Sequence, residues 1–257
     1  MKLPHTEAGD GPALLLLHAG IANRRMWSEH LEPLAAAGHR VVAVDLPGFG
    51  EAAPGREPVA HWEEVLETMA ALDIERASLV GSSFGAAVAL RAAALHPHRV
   101  SSLLLFSAPA VPEPDPSPEL LGAWDAEEEA LAVSDLEQAV EVTLANWVRP
   151  EAPTEVRARI AEMQRKNYEL HTPEEQPKQA ADPLEDDPAL LSAIDCPVLL
   201  AAGESDMTDF KNALPELASK LPGARTVLIA GCGHLAPLEA PDEFRRLVLE
   251  NLGPDPA

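Results

Sequence analysis

Five consecutive residues, Gly81-Ser82-Ser83-Phe84-Gly85, carry the clearest chemistry in the chain. They fit the pattern G-x-S-x-G with Ser83 at its centre. The apolar run Ala77–Val80 leads into them, and the run Gly85-Ala86-Ala87-Val88-Ala89-Leu90 leads out. This spacing predicts a strand, a sharp turn and a helix over Phe84–Leu95 that is stopped by Pro97. A serine on such a turn sits in strained backbone geometry with its hydroxyl exposed. Its neighbours must be small because the strand and helix backbones approach closely. The helix start also aims backbone N–H groups at the serine, which favours negative charge developing there. The chemistry this suits is attack by the hydroxyl on a carbonyl carbon. The plainer reading is a glycine-serine turn that only joins a strand to a helix.

A serine hydroxyl is a weak nucleophile and needs a base that is itself oriented by an acid. Candidates for the acid and then the base follow the serine along the chain. Two later turns supply the types. Gly203-Glu204-Ser205-Asp206 follows a predicted strand at Val198–Ala202, and Gly231-Cys232-Gly233-His234-Leu235 follows one at Thr226–Ile229. His234 is the candidate general base and Asp206 the candidate orienting acid. Glu204 and Asp209 are rivals for the acid.

The elements that must position these residues are short apolar strands alternating with helical patterns. Strands are predicted at Ala13–Leu17, Arg40–Val44, Ala77–Val80 and Val100–Phe106, besides the two near the C-terminus. Helices are predicted at Met26–Ala37, His61–Leu72, Phe84–Leu95, Phe210–Lys220 and Asp242–Asn251. Near-continuous apolar strands imply a mostly parallel sheet covered on both faces by helices, an α/β fold. The block from Val111 to Leu190 breaks the rhythm. It has no convincing strand, and helical patterns at Pro118–Ala132, Ser134–Val148 and Thr154–Leu170 are separated by proline-rich joints. It holds 20 acids and 6 bases, a net of −14 out of the chain's −23. The reading is one core, residues 1–110 with 191–257, interrupted by an all-helical insertion over 111–190.

With these motifs in place, the chain resembles the α/β-hydrolase superfamily over nearly its whole length. The matching stretches are His18-Ala19-Gly20 with Trp27 beyond, Asp45-Leu46-Pro47-Gly48-Phe49-Gly50, the turn at Ser83, Gly203 to Asp206, and Gly231 to His234 followed by Leu238-Glu239-Ala240-Pro241. Branches that use an aspartate nucleophile are disfavoured, because Ser83 stands there. The resemblance implies that the insertion is a cap, or lid, over the site. It also implies an oxyanion hole built from the N–H of Phe84 and an N–H after the strand at Ala13–Leu17. The family usually reads His-Gly-X there. Here Ala19 replaces the glycine, so Gly20 matches X and Ile21 is the fallback donor. Only twelve residues precede Ala13, so the family's first strand is expected to be missing. The implied activity is hydrolysis of small neutral carboxylic esters or lactones without a cofactor, and Arg25-Met26-Trp27 resembles the enol-lactonase and perhydrolase branches. Perhydrolase, hydroxynitrile lyase or carbon–carbon hydrolase chemistry on the same residues stays open, as does a non-enzymatic ligand-binding role.

Composition narrows the partners. A charge of −23 repels phosphate backbones and anionic membrane surfaces, and the partner that the resemblance implies is a small-molecule substrate. A homodimer is compatible with the sequence. The N-terminal stretch has no apolar core of signal or span length, so a soluble cytoplasmic protein is expected. Neither HExxH nor CxxC occurs, and no metal site is expected. Gly48-Phe49-Gly50-Glu51-Ala52-Ala53 matches a dinucleotide fingerprint, but Pro54-Gly55 follows where a helix should open. His18 and Asp45 read as loop-shaping residues, and the other histidines, His171 among them, lack ligand spacing. Cys232 is either a thiol sensitive to oxidation or a small residue in a tight turn. A bridge to Cys196 is disfavoured, because the two flank opposite ends of parallel strands. Ile21, Trp27, Trp124 and Trp147 are candidates to line a substrate pocket, with Met163 and Tyr168 beside them. For the aromatic residues and Met163, ordinary core packing is the competing reading.

Overall fold

The structure, a computed structural model, describes residues 2–54, 57–132, 135–170, 178–221 and 223–252. Its centre is a seven-stranded sheet. The strands are β1 (His5–Ala8), β2 (Ala13–Leu17), β3 (Arg40–Val44), β4 (Ala77–Ser82), β5 (Val100–Phe106), β6 (Val198–Gly203) and β7 (Arg225–Ile229). They lie in the order β1-β3-β2-β4-β5-β6-β7, and every pairing is parallel except β1 with β3. Side chains alternate along each strand. Leu14 and Leu16 therefore enter one core with Phe106 and Phe244, while Leu15 and Leu17 enter another with Val65 and Leu90. Burial on both faces is why β2 to β6 read as unbroken apolar runs, whereas β7, at the far edge, is largely exposed.

Helices α2 (His61–Ala71) and α3 (Phe84–Leu95) cover one face, and α1 (Leu31–Ala36) with α10 (Pro241–Asn251) covers the other. The expected helix Met26–Ala37 is in fact two pieces, a 3₁₀ turn at Arg24–Trp27 and then α1. Two local signals divide it. Asn23 caps the first piece by accepting from Arg25 N at 3.1 Å. Pro33 has no N–H to donate, so it fits only within the first turn of a helix that starts afresh at Leu31. Strand β1 was not expected. Its sequence, His-Thr-Glu-Ala, has no apolar run, because it is a half-exposed edge held by backbone pairing to β3.

Between β5 and β6 the chain leaves the sheet. It forms α4 (Pro118–Ala132), α5 (Leu136–Trp147), α6 (Thr154–Leu170) and the short α7 (Pro183–Asp186). The expected start of α5 at Ser134 lies outside the described residues, as does His171. Helix α5 packs against both α4 and α6. No strand forms among the described residues of this block, only an isolated bridge from Gln179 to Val59. Ion pairs Arg25–Glu162 and Arg159–Glu29 tie α6 to the loop after β2. After β6 come α8 (Thr208–Lys220), β7, α9 (Ala236–Glu239) and α10. No helix among the described residues is long and apolar enough to cross a membrane.

Candidate active site

Ser83 stands between the last residue of β4 and the first of α3, with φ 52° and ψ −115°. A non-glycine residue at positive φ is strained and persists only where its surroundings hold it. Here the hold is explicit. Ser83 N donates to Phe106 O at 2.8 Å, and Ser83 O accepts from Ala86 N at 2.9 Å and Ala87 N at 3.0 Å. Packing also fixes the two flanking glycines. A Cβ on Gly81 would lie 2.3 Å from Gly85 O, and one on Gly85 would lie 2.2 Å from Leu17 O. The pattern G-x-S-x-G is thus a requirement of backbone contact between β4, α3 and β2.

The candidate acid and the candidate base meet through the ends of β6 and β7. Gly203 closes β6 so tightly against the histidine loop that a Cβ there would lie 2.1 Å from Gly233 O. Ser205 N donates to Cys232 O at 2.9 Å and Glu204 N to Ile229 O at 2.9 Å, which locks the two turns together. Asp206 is buried, and its Oδ1 accepts from its neighbour Met207 N at 2.8 Å and from His234 Nδ1 at 2.9 Å. A carboxylate beside Nδ1 keeps the hydrogen there, which leaves Nε2 of the neutral ring as a proton acceptor. The ring is clasped by Phe210 and Trp147, with centroids at 4.4 and 4.8 Å.

The rival acids are placed differently. Glu204 is exposed. Asp209 gives both carboxylate oxygens to Ser117, at 2.8 Å to its N–H and 2.6 Å to its hydroxyl. Partial burial would raise the Asp209 pKa, but these bonds outweigh it and hold the group below its usual value.

Two residues that the sequence reading gave no role support His234. Ser107, itself at φ 52°, donates from its hydroxyl to His234 O at 3.1 Å. Glu239 accepts from Gly233 N and from Leu235 N, both at 3.2 Å, so one buried carboxylate brackets the histidine on both sides. Arg149, just past α5, is its ion-pair partner at 3.1 Å. Glu239 was visible only as part of Leu238-Glu239-Ala240-Pro241, and no pattern in the sequence marks Ser107.

Ser83 and His234 line one cavity of about 590 Å³. Gly20, Ile21 and Phe84 line it from the core, and Trp124, Trp147 and Tyr168 from the insertion. Gly20 faces Phe84: a Cβ on it would lie 3.6 Å from Phe84 Cβ, an ordinary contact. Trp27 is not among the lining residues. It is fully buried in the core beside Phe244, with ring centroids at 5.6 Å, because the turn at Arg24–Trp27 points it under the sheet. Met163 is likewise a core residue.

His18 is held by backbone on both ring nitrogens: Nδ1 lies 2.9 Å from Ala19 O, and Nε2 accepts from Leu46 N at 3.0 Å. Asp45 caps two loops by accepting from Arg24 N and Glu51 N. Burial pushes the Cys232 thiol up to about 12 and Cys196 up to about 11, and both cysteines are free. No group of acidic, cysteine and histidine side chains among the described residues could hold a metal ion.

A profile of the alpha/beta hydrolase fold matches residues 12–241. The chain belongs to the α/β-hydrolase fold family. It is a hydrolase of that family, with similarity that runs end to end. A pimeloyl-[acyl-carrier protein] methyl ester esterase of Aeromonas hydrophila is 28% identical over 95% of this chain and 97% of its own length. A 2-hydroxy-6-oxo-6-phenylhexa-2,4-dienoate hydrolase of Comamonas testosteroni is 28% identical over 96% and 90%. Among solved structures, a hydrolase from Pseudomonas aeruginosa superposes with a TM-score of 0.77 at 27% identity, over 97% of this chain and 94% of that one. The candidate nucleophile, acid and base, Ser83, Asp206 and His234, follow one another in that order along the chain.

Proposed function

We propose that this α/β-hydrolase cleaves small neutral carboxylic esters or lactones through an acyl-enzyme on Ser83. The observation that carries the reading is the shared cavity. Ser83 on its strained turn and His234, held through Nδ1 by Asp206, line the same space. In this reading Ser83 Oγ attacks the carbonyl carbon while His234 Nε2 takes its proton. Asp206 holds the ring and stabilises the imidazolium. The carbonyl oxygen, now negative, is met by the N–H of Phe84, at the first position of α3, where N–H groups have no partner within the helix. The second donor is the N–H of Gly20, which faces Phe84. One such donor contributes roughly 3–4 kcal/mol to the transition state. His234 then gives its proton to the leaving alkoxide and activates the water that releases the acid. All of these groups come from the chain itself, and the reading requires no cofactor.

The insertion acts as a cap in this reading, because α4, α5 and α6 supply the wall of the cavity that faces Ser83. A series of p-nitrophenyl esters of growing acyl length tests the activity. Turnover that peaks at short to medium chains and vanishes in Ser83→Ala supports it. Absence of turnover across the series would count against it.

A further inference from the structure

Apart from His234 and Tyr168, the ionisable side chains lining the cavity beside Ser83 are all carboxylic acids. Glu113, Glu127 and Asp209 line it, and the described lining residues include no lysine or arginine. Asp209 is already committed to Ser117. Glu127 is placed differently. It comes from α4, is half-buried, and its carboxylate accepts the indole N–H of Trp147. Trp147 is also the ring against His234, so Glu127 stands one indole away from the base. Trp124 and Tyr168 join Trp147 in lining the cavity.

A carboxylate among aromatic rings attracts cations twice over, through its own charge and through the ring faces. The same wall repels an anion and offers it no lysine or arginine as counter-charge. Burial raises the proton affinity of Glu127, and hydrogen bonds from Trp147 and Asn146 oppose that shift by favouring the carboxylate.

We propose that the site sorts substrates by the sign of their charge. It accepts esters whose arm is uncharged or ends in an alkylammonium group, and it excludes esters that carry a carboxylate, with Glu127 as the residue that sets this preference. The inference rests on the hydrolase reading above, and it names the substrate class for that site.

Three esters of matched length test it: p-nitrophenyl γ-trimethylammoniobutyrate, its uncharged γ-tert-butyl isostere, and p-nitrophenyl hydrogen glutarate. In the wild type, kcat/KM for the cationic ester should equal or exceed that of the neutral one, with the glutarate at least about tenfold lower. Glu127→Gln should lower the cation-to-neutral ratio several-fold and raise the glutarate-to-neutral ratio. Ratios are insensitive to a folding fault, which would depress all three esters alike. A glutarate rate within about twofold of the neutral one, or ratios unchanged in Glu127→Gln, would overturn the proposal.

Binding to Ser83→Ala separates this from the chemistry. Calorimetry should find affinity for butyltrimethylammonium and none for pentanoate. That result without turnover of any ester would sink the hydrolase reading and leave the charge preference standing. Turnover with equal binding of the two ions would do the reverse.

Discussion

At the residue scale, the acid is the assignment most open to a direct contest. Asp206 is within 2.9 Å of His234 Nδ1, while Asp209 is bound to Ser117 and Glu204 is exposed. Asp206→Asn should leave the fold intact and lower kcat by about 10³–10⁴, because an amide no longer enforces the right tautomer. Asp209→Asn and Glu204→Gln should stay within about threefold of the wild type. Steady-state kinetics on one nitrophenyl ester check all three, and a crippled Asp209→Asn would transfer the acid role. The strained turn at Ser83 and the candidate loops at Asp206 and His234 were legible as structure because they are local: each is a short pattern at the end of a strand. Trp27 was misjudged as a pocket candidate because residue type alone does not tell which side of a turn a large ring will enter. Glu127 was not noticed, since one acid among the 20 of the insertion gives no sign in sequence of the indole it will meet.

At the element scale, the apolar strands and most helices were legible because two-sided burial demands unbroken apolar runs. Strand β1 was not, because backbone pairing at an edge asks little of side chains. The way elements lock the histidine loop was also hidden, since it joins residues far apart in sequence. Glu239 bonds the N–H groups on both sides of His234 and meets Arg149 from the far end of α5. Glu239→Gln keeps only part of this bracket and loses the ion pair. It should lower kcat by about tenfold or more with little change in KM, and lower Tm by several degrees. Arg149→Met, which leaves the Glu239 charge buried and unpaired, should destabilise the protein by about 3 kcal/mol. Urea unfolding measures this, and a loss below about half a kcal/mol would mean that the pair does not join insertion and core.

Across the whole molecule, acidity and buried histidines set how stability responds to pH. His30 and His61 are buried, and burial lowers each to about 4, against the pull of the carbonyls of Pro237 and Pro47. Unfolded, each would bind a proton near pH 6.5. Between these values the unfolded chain holds protons that the folded one does not, so stability falls as pH drops from about 6.5 toward 4 and levels off below. The loss is on the order of 3 kcal/mol for each histidine. Urea unfolding at a series of pH values should show this, and His30→Gln should flatten the dependence by close to one proton. Equal slopes in variant and wild type would show that His30 titrates normally in the fold. The net charge of −23 is itself unevenly spread, with −14 in the inserted block that lines the cavity.

The most direct test of Ser83 as an activated nucleophile is labelling with a fluorophosphonate, located by mass spectrometry in wild type, Ser83→Ala and His234→Ala. A single adduct on Ser83, absent from Ser83→Ala and slowed by orders of magnitude in His234→Ala, is the expected result. An adduct that persists on another residue in Ser83→Ala, or labelling of Ser83 at an undiminished rate without His234, would contradict it.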